Sequence, residues 1–186
     1  AQNAQRLINQ GAIEDRLRHY LSAHLSEIFP DHPWWLEAHL QGTEEHVRFA
    51  GNSGARTGFV DAVVGKTAIE YEKNLTIQGI FNEGYHQVEE YCAALCNAGV
   101  PENEVLGVLS DTVRWYGYKV RIVSENTENH LLGPDDVELE QVSFVDLSVD
   151  RHEEFMKFDT FINRFLARDA SRLLNANTLV LDFGID

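Results

Sequence analysis

Between Gly58 and Asn74 the chain reads GFVDAVVGKTAIEYEKN. An acid, Asp61, stands on an apolar strand; a Gly65-Lys66 turn follows, and then two acids, Glu70 and Glu72, spaced two apart on a second strand. Strand alternation puts Glu70 and Glu72 on one face and Ile69 and Tyr71 on the other. The turn folds the second strand back beside Asp61. Three carboxylates brought together in this way repel one another unless a cation sits among them. Their hard oxygen donors suit Mg²⁺, or Mn²⁺ in its place, better than Zn²⁺. Such an ion supports phosphodiester hydrolysis, which needs a water made nucleophilic near neutral pH and a neutralised leaving oxygen. Asp61, Glu70 and Glu72 are therefore candidate metal ligands, and Glu72 is also a candidate general base toward the attacking water.

Taken singly, an acid on a strand edge is an ordinary solvated residue, and Glu70 and Glu72 read alone are the polar face of a half-exposed strand. The surrounding residues argue otherwise. Phe59, Val60, Val63, Val64 and Ile69 make the hairpin apolar on much of both faces, which suits a central sheet position where acids are costly without partners.

The elements that must hold this hairpin follow from periodicity. Leu7, Ile13, Leu17, Leu21, Leu25 and Ile28 recur near helical spacing, predicting an opening helix interrupted at Gly11. A short strand over 46–50 leads through the glycine-rich connector GNSGARTG to strands at 59–64 and 67–73. A crossover helix spans 81–98, ended by Gly99 and Pro101. VLGVLSD over 105–111 reads as a buried strand and 112–123 as its neighbour, with Gly117 as a bulge position. The acidic stretch 125–140 reads as a loop or edge, and a helix over 152–174 leads into the closing TLVLDFGID. The expected architecture is α/β: a mixed central sheet flanked by helices, with residues 1–150 as the main domain and 151–186 as a C-terminal helical extension and connector, leading to further domains.

With 186 residues and an apolar share of 44%, the chain fits one well-buried domain. It has no apolar run of the roughly 20 residues that a membrane span needs, and AQNAQRLINQGAIEDRL lacks the basic start and apolar core of a signal peptide, so the expectation is a cytoplasmic protein. Cys92 and Cys96 lie four apart among Ala93, Ala94 and Leu95 and read as core residues of a reduced protein. The formal charge of −15 opposes binding to a polyanion. Arg48, Arg56, Lys66 and Lys73 nevertheless cluster near the hairpin, and local field can outweigh net charge. Arg56 is a candidate phosphate contact. Trp34 and Trp35 are candidates for base stacking or for the core, and of the scattered histidines only His86, beside Gln87, stands near the site.

The succession of a Gly-hydrophobic-Asp strand, a tight turn, Ile69-Glu70-Tyr71-Glu72 and a helix carrying Gln87 and Tyr91 in HQVEEY resembles the PD-(D/E)XK nuclease superfamily, in its branch with a Gln-x-x-x-Tyr helix motif. The resemblance runs from about Glu14 to Val123. It implies a restriction-endonuclease-like fold, Asp61 and Glu70 as ligands of a divalent cation, and Glu14 completing the shell. It also implies Gln87 orienting the water or the ligands, and Tyr91 packing or contacting a backbone phosphate. The family's usual lysine, two residues after the glutamate, is Glu72 here, as in Glu-x-Glu variants. Lys73, one residue later, and Lys66, on the turn, are the candidates to replace it. The implied activity is Mg²⁺-dependent endonuclease cleavage of DNA, as the cleavage module of a restriction enzyme joined to further domains or to a methyltransferase. The alternatives are a nuclease-fold module kept for protein contacts without catalysis, and a nuclease acting on RNA.

Overall fold

Apolar residues that alternate along several strands, and two helices each with one apolar stripe, leave few ways to bury both kinds of surface. The computed structural model describes residues 45–51, 54–123, 131–149 and 152–166. In it the strands β1 (Glu45–Gly51) and β2 (Gly54–Val60) form an antiparallel hairpin. The strands β3 (Ala62–Val64), β4 (Thr67–Tyr71), β5 (Leu106–Ser110), β6 (Arg114–Ile122) and β7 (Val137–Asp146) form a five-stranded mixed sheet in sequential order. Only β4 and β5 run parallel, and the crossover between them is helix α1 (Gln78–Asn97). A second helix, α2 (His152–Phe165), follows β7.

Among the described residues, each face of the sheet is covered by one helix. On the α1 side, Ala68, Leu109, Tyr118, Val120, Val137 and Leu139 pack with Val88, Tyr91, Cys92 and Ala93. On the other, Ile69, Tyr71, Leu106, Val108, Trp115 and Val145 pack with Phe158, Phe161, Ile162 and Phe165. Helix α2 thus packs on the sheet as part of this core. Gly117 lies under α2, where an added Cβ would collide with the Phe165 ring.

The irregularity expected at Gly117 is present, with its extra residue on the partner strand. Gly117 pairs with Ser143 and Tyr118 with Gln141, so Val142 is the inserted residue. The bulge changes the phase of β7: Val137 and Leu139 face α1, whereas Val145, beyond the bulge, faces α2. The acidic stretch 125–140 is in part strand. From Val137 onward buried Val137 and Leu139 alternate with exposed Glu138 and Glu140, so these acids line the wet side of an edge strand. Likewise most of the stretch expected as a connector at 51–58 is strand: Gly54–Val60 pairs residue by residue with β1, up to Gly54 opposite Gly51. The helix ends as expected, with Gly99 at φ 92° and its N–H bonded to the carbonyl of Cys96.

No helix among the described residues is long and apolar enough to cross a membrane. The expected opening helix with Glu14, the Trp34-Trp35 pair and the closing TLVLDFGID lie outside the described residues.

Candidate metal and catalytic site

Asp61 stands at a bend between β2 and β3, where its Oδ2 accepts the backbone N–H of Tyr71 at 3.0 Å. The β3–β4 register runs from Val64 opposite Thr67 to Ala62 opposite Ile69, and one further step sets Asp61 level with Glu70. The register thus sets Asp61 beside the strand position of Glu70. Glu70, in β4 between the parallel strand β5 and β3, is 6% exposed. The next residue inward on the same face, Ala68, packs in the α1 cluster, while Ile69 and Tyr71 pack under α2. The expected alternation holds.

Glu72 follows the end of β4 and is 9% exposed. Its N–H continues the parallel ladder by donating to the carbonyl of Ser110 at 2.9 Å. Its side chain lies against α1 at Gly84, where an added Cβ would fall 2.8 Å from Glu72 Cγ and 3.2 Å from Oε1. One helical turn further along α1, Gln87 hydrogen-bonds the side chain of Tyr91. Burial pushes the Tyr91 phenol well above its ordinary range, and the charges of Glu70 and then Asp61 push it further, with the Gln87 bond opposing them. Asp61, Glu70, Gln87 and Tyr91 thus share one neighbourhood between β4 and α1.

The expected closure of all three carboxylates around one point is not met. Among the described residues, no three His, Cys, Asp or Glu side chains gather closely enough to hold a metal ion. The local structure gives the reason: Asp61 is tied to the Tyr71 N–H, and Glu72, beyond the strand end, lies along Gly84. The donor set itself fits a hard divalent cation, being all carboxylate oxygen with two charges reaching the same phenol. Asp61 and Glu70 are the residues that would hold it.

The two candidate lysines have different settings. Lys66 forms an ion pair with Glu104 at the turn end of the hairpin. At roughly 3.3 Å of rise per residue it stands about 13 Å along the strand from Glu70. Lys73 is exposed, on the segment that follows β4. Arg56 falls in β2 and Arg48 in β1, and their side chains lie outside the described structure. His86 is exposed and faces Glu89 at 3.3 Å and Glu90 at 3.7 Å along the helix surface. Cys92 is buried and Cys96 half-buried, and burial raises both thiols, as suits unreactive core residues.

One carboxylate of importance escaped the sequence reading. Asp111 is fully buried and accepts the N–H groups of Leu75 (3.0 Å), Val113 (3.1 Å) and Arg114 (2.6 Å). It also accepts from Arg114 Nη1 at 3.0 Å, and Arg114 reaches Asp146 at 3.6 Å. It ties the β5–β6 turn to the segment that carries Lys73. The signal was present in SDTVR, an acid closing an apolar strand three residues before an arginine.

Comparison with family models, with curated proteins and with solved structures finds no match to this chain.

Proposed function

We propose that this chain is a nuclease domain of the PD-(D/E)XK type, restriction-endonuclease-like in fold, which hydrolyses phosphodiester bonds of DNA with Mg²⁺ or Mn²⁺. The observation that carries the reading is the shared neighbourhood of Asp61, Glu70, Gln87 and Tyr91, in which the two carboxylate charges act on one buried phenol. These are residues that the sequence motifs nominate, and the β3–β4 pairing next to Asp61 and Glu70, with Tyr91 buried against the sheet, supports the reading. A divalent ion held by Asp61 and Glu70 would supply Lewis-acid activation of water and charge neutralisation at phosphorus. Glu72, almost inaccessible and two residues beyond Glu70, is suited to take a proton from the attacking water. Gln87 orients Tyr91, whose protonated phenol is a donor to a phosphate oxygen.

The non-catalytic alternative draws on Lys66, which is committed to Glu104, and on the carboxylates not closing into a trio among the described residues. One experiment separates the two. Supercoiled DNA is incubated with the protein in Mg²⁺, Mn²⁺ or EDTA beside an Asp61→Ala control. Nicking that requires metal and Asp61 is the expected result. Absence of nicking in both metals favours the non-catalytic module.

A further inference from the structure

Gly84 occupies the inner face of α1, buried, at the point where the helix crosses the end of β4. A Cβ there would meet Leu109 Cδ1 at 2.7 Å, Glu72 Cγ at 2.8 Å and Glu72 Oε1 at 3.2 Å. The first contact is with the tip of a flexible side chain. The second is with a carbon in the middle of the Glu72 side chain, so relief there requires the whole Glu72 side chain to move. Glycine in a helix interior is otherwise a poor choice, since it lowers helix stability relative to alanine. The other glycine of this interface, Gly107, admits Val88 and Cys92, both apolar. At Gly84 a carboxylate side chain is admitted beside Leu109.

We infer that Gly84 is a positioning residue for Glu72: the notch it leaves in α1 fixes where the Glu72 carboxylate lies relative to Asp61 and Glu70. The inference rests on the nuclease reading for its functional consequence. Its geometric part, the coupling of Gly84 to Glu72, stands on distances alone.

The test uses Gly84→Ala, Glu72→Gln and the double variant, with kcat and KM for metal-dependent DNA cleavage and urea unfolding of each. Helix propensity alone would make Gly84→Ala more stable than wild type, so a variant of unchanged or lower stability reports the clash. Because general-base loss typically costs about a hundredfold or more, displacing Glu72 is expected to lower kcat at least about tenfold with KM little changed. In the Glu72→Gln background the same alanine is expected to change kcat less than about twofold, since the group it would misplace has lost its function. A merely structural glycine would instead give additive losses. If wild type cleaves DNA and Gly84→Ala cleaves equally well, or if its losses add to those of Glu72→Gln, the inference fails and the nuclease reading stands. If wild type does not cleave, or cleaves without need of Asp61, the nuclease reading fails and takes the inference with it.

Discussion

The backbone N–H of Tyr71 donates to Asp61 Oδ2 at 3.0 Å, clipping the acid of one strand to the strand that bears Glu70. The bond gives Asp61 a structural duty beside its proposed one, and the two separate by substitution. Asp61→Asn keeps an oxygen acceptor, whereas Asp61→Ala leaves the Tyr71 N–H unmet and is expected to cost about 1 kcal/mol of stability. Both variants are expected to lose divalent-cation binding. Urea unfolding beside calorimetric titration checks the pair: equal stability losses, or cation binding retained in the asparagine variant, would contradict it.

Tyr91 offers a reporter inside the site. Burial and the charges of Glu70 and Asp61 hold its phenol above the ordinary value of 10.0. Glu70→Gln removes the larger of the two charge effects, and a bound divalent cation offsets both, so each should lower the Tyr91 pKa. Ultraviolet titration of phenolate, with Tyr91→Phe as the baseline, reads the change. The sign for stability follows from the same shift. Above pH 10 the unfolded phenol ionises while the folded one does not, so stability should fall with rising pH from 10 up to the raised value.

Glu89, on the same helix, has a pKa raised above 4.5 chiefly by burial, with the His86 bond and charge opposing. Between that value and the raised one the folded chain holds a proton that the unfolded chain has released, so stability falls as pH rises through the window. Glu89→Gln should therefore be more stable than wild type at neutral pH, with the advantage shrinking as pH falls below the ordinary carboxylate value. Thermal unfolding across pH tests this, and an advantage that grows toward acid would reverse the assignment.

Asp111→Ala strands the N–H groups of Leu75 and Val113 and removes a partner of the Arg114 guanidinium in a fully buried position. The expected cost is about 3 kcal/mol or more. The turn it braces also holds Thr112 at φ 68°, a conformation that β-branched residues seldom adopt. Hydrogen exchange should show the 72–77 and 110–115 segments opening together in a milder Asp111→Asn variant. Unchanged exchange at 72–77 would show that the Leu75 bond carries little.

The central hairpin and the helix between β4 and β5 were legible because their signals are local: period-2 acids on an apolar strand, a Gly-Lys turn, and an apolar stripe closed by Gly99. Strand β7 was hidden because its acidic residues alternate with only two apolar ones before the Val142 bulge shifts the phase, so neither half shows a long repeat. The core role of α2 was hidden too. Its partners Ile69, Trp115 and Val145 belong to three strands that only the sheet order brings together. At the site, the sequence revealed which carboxylates share a face. The path of Glu72 along Gly84, and the commitment of Lys66 to Glu104, depend on tertiary packing that spacing does not encode.

Whether Asp61 and Glu70 together hold a divalent cation is decided by calorimetric titration of the protein with Mn²⁺, run beside Asp61→Asn and Glu70→Gln. Saturable binding in wild type that is lost in both variants, while each still unfolds cooperatively, is the expected result. No saturable binding in wild type, or binding of equal strength in either variant, would contradict it.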